Sequence, residues 1–515
     1  MRPDVDVAIV GGGMAGLYTG WSLLARGTPV PGGEGGTRVT ILESGARTGG
    51  RLMTIPPPHA PHLRAELGGM RFLTTQALVA DLIDHLGLPH HVFPMGDDHD
   101  LHYLRGARFP LSALESGDPV VPYDLADDER GATIAQLMGR VLLGFLPDAR
   151  TMTWDDRIER ERNAMLGNRP VAEASLADVM RRFLSPEAYE MAQDGLGYSC
   201  SRDPEVSAVN MIHTDLSGGV HRTLDAGMQA LPDALAAAFR AAGGTIATGV
   251  AGVGVERAED DLLRVSTASD GRRGELTARH VVLALPRRAL DLMDLGGGVL
   301  GETSLRDDLD AVVPVPASKL YFTFDEPWWE EIGLHTGRSV TDLPMRQCLY
   351  FGVEDEASGG ARGNRTALFV ASYNDDGAAR HWEAKRAEGG EPFQGRHPTA
   401  PQWSVPAPMA EDVARQVSEV HGVPIPDPTW AAYQDWGRDP YGAGWHYWRV
   451  GHRSVDVIPR MRRPHPDANL SVCGEAFSAH QGWILGALSS SEHVLRESLG
   501  QPPASWIADD VELGP

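Results

Sequence analysis

Lysine, cysteine, long apolar runs and net positive charge are all scarce in this 515-residue chain. Of its 46 basic residues only Lys319 and Lys385 are lysine, so arginine serves wherever a positive charge alone is needed. Lys319 lies in PASKLYFTF, an alternating apolar segment that reads as a strand. An ammonium there is costly unless it meets water or a partner, and lysine, unlike arginine, shifts its pKa readily. Cys200, Cys348 and Cys473 are scattered and not metal-spaced, which argues against a disulfide framework or a zinc site and leaves buried thiols. No run approaches the roughly 18 apolar residues of a membrane span. The first strand begins at Val5 without room for a signal peptide, so a cytoplasmic location is expected. The 46 basic residues face 70 acidic ones, a net charge of -24, which suits neither nucleic acid nor an anionic membrane as partner. The length allows two or three domains.

What is present is concentrated first in the opening fifty residues. VDVAIV (Val5–Val10), then GGGMAG, a helical pattern, and RVTILE ending at Glu43 read as strand, tight turn, helix, strand. Gly11, Gly13 and Gly16 fit G-x-G-x-x-G: the first permits the turn, the second lets backbone approach a pyrophosphate, and the third lets helix and strand pack closely. The helix N-terminus, opened by Met14 and Ala15, then faces the phosphates. Glu43 closes the second strand, placed to accept hydrogen bonds from a ribose diol. A Pro/Gly-rich loop, Thr28 to Arg38, explains the long spacing between Gly16 and Glu43. Further on, helical periods run through Ile134 to Phe145 and Leu176 to Leu184, the latter opened by a Ser175/Asp178 capping box.

ESGARTGGR (Glu43 to Arg51) and ELGGMRF (Glu66 to Phe72) follow, and with GMQALP, HVVLALP, SKLYF, SVTDLP and GEAFSAHQGWILGAL (Gly474 to Leu488) they resemble the flavin-dependent amine oxidases, closest to their L-amino-acid oxidase branch. The resemblance spans nearly the whole chain and is weakest between about Tyr123 and Thr223. It implies an α/β fold: a discontinuous Rossmann-like FAD-binding domain (1–57, 222–312 and 465–500), an α+β substrate domain (58–122 and 313–464), a helical insertion (123–221) walling a substrate funnel, and a poorly ordered tail (501–515). It implies FAD held by Gly11, Gly13, Met14, Ala15, Gly16, Glu43, Ser44, Arg47, Gly50, Arg51, Gly69, Met70 and Arg71, by backbone near Gly252 and Val253, and by Gly474, Glu475, Gly482, Trp483 and Ile484. Arg47 and Arg51 are expected near the pyrophosphate and flavin. Ala443 stands where monoamine oxidases carry the cysteine that links flavin covalently, so FAD is expected to be noncovalent.

The resemblance also assigns a substrate site. Arg71 matches the arginine that grips an amino-acid carboxylate with its two-pronged fork, which suits that planar anion. Tyr350 matches the tyrosine that supports the carboxylate, with a core tyrosine as the alternative. Gly482 supplies a carbonyl to the substrate amine, Trp483 walls the flavin face, and Trp445 lines the side-chain pocket or packs between domains. Lys319 matches the lysine that reaches flavin N5 through water. His213 lies where some relatives have an active-site histidine, but a structural or solvent-exposed histidine is the better expectation. The implied reaction is oxidation of an L-amino acid to an imine, hydrolysed to α-keto acid and ammonia, with oxygen reduced to hydrogen peroxide. Oxidative decarboxylation to an amide, or oxidation of an amine lacking a carboxylate, are the alternatives. A homodimer is the family expectation; no metal is expected.

Overall fold

Every side chain of the Val5–Val10 strand is buried, as a parallel strand covered on both faces requires. Its parallel neighbours are Val39–Glu43 and the upper half of Arg272–Leu283. Thr245–Thr248 adds beyond the first and Leu470–Val472 beside the second, again in parallel. Leu263–Ser269 and Ala251–Arg257 continue the sheet antiparallel. Sequence-distant segments thus build one sheet, with Val7 and Ile9 in one apolar cluster and Ala8 and Val10 in another. The computed structural model describes residues 2–33, 35–96, 99–116, 121–214, 218–508 and 511–515; parts of the expected helical insertion (215–217) and tail (509–510) lie outside the described residues.

The turn from the first strand into the Met14–Arg26 helix works only with glycine. Gly11 has φ +107°, and a Cβ there would lie 2.4 Å from the Ala284 carbonyl oxygen. A Cβ on Gly16 would sit 1.9 Å from the Gly11 carbonyl oxygen, so Gly16 is what lets the helix lie against the turn.

A second sheet runs in the order Trp430–Asp435, Ala317–Phe324, Thr366–Asp375, Gln347–Glu354, Arg338–Thr341, Leu101–Leu104, Ala107–Pro110. All eight residues of Ala317–Phe324 are buried. This sheet, with Trp436 just past its edge strand, grips the ELGG segment through three side-chain donors: Lys319 Nζ to the Glu66 and Gly68 carbonyls (2.9 and 2.6 Å), Tyr321 Oη to Glu66 (2.8 Å) and Trp436 Nε1 to Leu67 (2.8 Å).

Between the two sheets in sequence, helices Ile134–Phe145, Trp154–Asn163, Leu176–Phe183 and Pro186–Gly195 form their own core. The first three open with capping boxes, Thr133/Gln136, Thr153/Asp156 and Ser175/Asp178. The tail departs from expectation. Trp506 packs with its ring centroid 6.1 Å from Tyr18, 6.1 Å from Trp21 and 5.7 Å from His85, and His493 Nε2 lies 2.9 Å from the Gly514 carbonyl. The apolar surface of this indole, half-buried against the first helix and His85, is reason enough for the segment to dock.

Candidate active site

A cavity of about 450 Å³ runs along the first sheet and into the junction with the second. Its walls include Gly11, Gly13, Met14, Ala15, Glu43, Ser44, Gly50 and Arg51 from the opening unit, and Gly69, Met70 and Arg71 from the ELGGMRF segment. Gly252 and Val253, then Gly474, Glu475, Gly482, Trp483 and Ile484, also line it. A bulge between Gly252 and Gly254 takes Val253 out of the strand register. The helix starting at Met14 has Gly13 as N-cap, no side-chain cap and no acid in its first turn, so its N–H groups and positive dipole end stay open to a phosphate. Glu43 accepts from the Gly12 N–H (2.8 Å) and the Gly45 N–H (2.7 Å). One bond per oxygen leaves lone pairs for a ribose diol.

Glu475 organises the other wall. Its Oε2 accepts from Arg51 Nη2 and lies beside His446 Nδ1, both at 2.9 Å, while Oε1 accepts from the N–H groups of His446 (2.9 Å) and Gly482 (2.8 Å). Burial alone would raise its pKa, but Arg51, His446 and the Gly482 N–H outweigh burial and hold it far below the ordinary carboxylate range. The alternation of the Trp445–Trp448 strand sorts its aromatic run. Trp445 and Tyr447 line the cavity, whereas His446 turns to Glu475 and Trp448 joins the core beneath the first sheet.

Arg71 sits over the Trp483 indole, 5.9 Å from guanidinium carbon to ring centroid, and its Nε is buried without a hydrogen-bond partner. Among the described residues no carboxylate pairs with it. Its neighbours are hydroxyls: the Tyr198 phenol contacts Arg71 and Tyr373, with the rings of Tyr198 and Tyr373 edge to face at 5.6 Å and those of Tyr198 and Trp445 at 5.8 Å. Burial would raise the Tyr198 phenol, but the Arg71 and Arg338 guanidiniums more than offset it and leave it below the ordinary tyrosine value. Burial and Tyr198 push Tyr373 well up. His221 is driven down to about 4 by burial, then by Arg71 and Arg338. The field in this corner is positive and favours an anion.

Four expected residues, Tyr350, Arg47, Gly16 and Lys319, do not line the cavity. Tyr350 is not in the cavity: its hydroxyl lies 2.6 Å from Ser339 Oγ and 2.8 Å from His421 Nε2, in a core with Trp329 and Phe369. Bulges on either side of it in the pairing with Thr366–Asp375 alter the alternation, and Tyr373 stands at the cavity instead. Arg47 folds onto its own loop, donating to the Thr48, Leu52 and Gly50 carbonyls and to Gln229 Oε1, rather than lining the cavity. Gly16 supports the turn from behind. Lys319 stands behind the wall at Gly68, 3% exposed, its Nζ 4.8 Å from the Tyr373 ring centroid. His213 is remote from the cavity, buried against Glu161 Oε2 (2.8 Å) and Ser454 Oγ (2.9 Å).

A cavity with an open helix N-terminus, an acid for a diol and two indoles at its far wall suits a dinucleotide with a flat ring system. The known proteins it resembles agree. A family model described as flavin containing amine oxidoreductase matches residues 14–389 and 406–494. Aplysianin-A of Aplysia kurodai is 28% identical over 96% of this chain and 90% of its own length. Achacin of Lissachatina fulica is 27% identical over 96% and 93%, and L-amino-acid oxidase 4 of Hebeloma cylindrosporum 22% over 94% and 80%. Among solved structures, a cofactor-binding redesign of putrescine oxidase superimposes with a TM-score of 0.70 at 15% identity, covering 97% of this chain and 99% of the other, which speaks for the fold. The chain belongs to the flavin-containing amine oxidoreductase family and is an oxidoreductase acting on CH–NH2 groups.

Proposed function

We propose that the protein is an L-amino-acid oxidase holding FAD without a covalent bond. The observation that carries this reading is Arg71: a guanidinium at the cavity wall, facing tyrosine hydroxyls and an indole but, among the described residues, no carboxylate of its own. Leaving such a cation uncompensated is costly unless the ligand brings the anion. An α-amino acid does, and an amine without a carboxylate does not.

Gly13 and the helix behind it would hold the pyrophosphate, Glu43 the ribose, and Arg51 with the turn at Glu475 the flavin region. Bound FAD supplies the two-electron acceptor for the substrate Cα–H bond. The chain's own contribution is positioning and charge. Arg71 fixes the carboxylate, with Tyr373 and Tyr198 donating from the side. The Gly482 carbonyl receives the amine, and the Trp445 and Trp483 indoles confine the substrate and exclude water. Ala443, 0% exposed, offers no nucleophile to the flavin. Oxygen as the acceptor, and α-keto acid with ammonia and hydrogen peroxide as products, complete the proposal.

The test is anaerobic addition of L-amino acids, their D-enantiomers and the matching decarboxylated amines to the yellow protein. Loss of flavin absorbance with the L-forms alone, followed in air by a keto-acid mass and peroxide, supports the reading. An amide product, or equal bleaching by the amines, replaces it with one of the two alternatives.

A further inference from the structure

The backbone from Glu66 to Gly68 separates two cavities. Gly68 lines the one described above, while Glu66 lines a second of about 200 Å³ with His62, Arg64, His91 and Asp225 among its walls. Lys319 crosses toward this wall from the second sheet and donates to the Glu66 and Gly68 carbonyls. Those carbonyls, like the Tyr373 ring, offer dipoles and no formal charge. The charged groups acting on Lys319 are Glu66, which favours the ammonium, and Arg71, which opposes it.

The Glu66 carboxylate is itself held by the Met228 N–H (2.7 Å) and Thr54 Oγ1 (2.8 Å). Neither pairing needs a negative charge, since a glutamine would accept from the Met228 N–H through its oxygen and donate to Thr54 Oγ1 through its amide nitrogen. Gripping Lys319 through the Glu66 backbone carbonyl needs no particular side chain at all. What distinguishes a carboxylate here is its effect on the one buried ammonium nearby. We infer that Glu66, at the wall of the second cavity, is a positioning residue for the reaction, whose carboxylate keeps Lys319 an ammonium at the wall of the main cavity.

The balance is close, which makes it testable. Burial raises Glu66 to about 7 against the pull of Met228, Thr54, Lys319 and Arg64. Burial lowers Lys319 to about 7 against the support of Glu66. The buried Tyr321 phenol also faces Glu66, and the imidazoles of His62 and His91, the Asp225 carboxylate and the Tyr350 phenol complete the titratable groups around the second cavity.

Because the chain has two lysines, labelling with [ε-13C]lysine gives two resonances, and Lys319→Met assigns them. In the full-length flavoprotein, Glu66→Gln should lower the Lys319 midpoint by about one unit or more, as loss of a nearby opposite charge in a buried setting does, with Lys385 unmoved. Glu66→Asp, which keeps the charge, should restore most of the shift. Flavin reoxidation by oxygen should move its pH profile to acid by the same amount; this arm alone rests on the proposed function. An unmoved Lys319 midpoint in folded Glu66→Gln overturns the inference even if L-amino acids are oxidised. A wild-type Lys319 already neutral at about pH 6 overturns it without any variant. A shifted midpoint in a protein that oxidises no amino acid would sustain the inference and overturn the proposed function.

Discussion

Arg51 donates to Glu475 at 2.9 Å, joining the loop after the second strand to the turn before the last helix across 424 positions of chain. Both residues line the cavity, so this ion pair shapes the site as well as closing the fold. Glu475→Gln leaves Arg51 and His446 facing no charge and should cost about 3 to 5 kcal/mol of stability, as breaking a buried pair does. Urea denaturation and flavin retention on gel filtration measure it.

The same carboxylate gives an acid dependence. Its folded pKa lies below the ordinary glutamate value of 4.5, so its stabilisation is complete above that value and is lost as pH falls through the folded pKa. The wild type should lose urea resistance between about pH 5 and 3 more steeply than Glu475→Gln, which has no proton to take up there. Equal slopes would assign the acid sensitivity to other carboxylates.

Tyr350 and Tyr373 should separate cleanly. Tyr350→Phe deprives Ser339 and His421 of a buried partner and should destabilise by about 1 to 3 kcal/mol, with KM and kcat unchanged. Tyr373→Phe should leave stability nearly intact and weaken L-amino-acid binding by about 1.5 to 3 kcal/mol, the range for a hydrogen bond to a charged group. Urea midpoints and steady-state kinetics on the two variants decide.

With Ala443 buried and unreactive, heat or acid precipitation should release all yellow colour into the supernatant. Colour retained in the pellet would reveal a covalent flavin.

The glycine fingerprint was legible in the sequence because its geometry tolerates nothing else: Gly11 and Gly16 have no room for a Cβ. The discontinuous first sheet followed from motifs that mark its returning strands. Tyr350 was not separable from Tyr373 by pattern, because adjacent strands buried on both faces show no polar alternation and bulges shift which residue meets the cavity. Arg47 carries the motif position, yet its guanidinium is satisfied by carbonyls of its own loop, which no spacing reveals. Tyr198 and Arg338 escaped notice for different reasons. The first lies in the helical segment where motifs fade, and the second is one arginine among many, distinguished only by its placement beside Arg71.

The central claim is that Arg71 binds a carboxylate, and Arg71→Lys tests it most directly when kcat/KM is measured for an L-amino acid and for the matching amine without the carboxylate. The account predicts a loss of about 2 to 5 kcal/mol for the amino acid, little change for the amine, and a normal flavin spectrum, because lysine cannot reproduce two parallel hydrogen bonds. Equal losses on both substrates, or loss of the flavin, would contradict it.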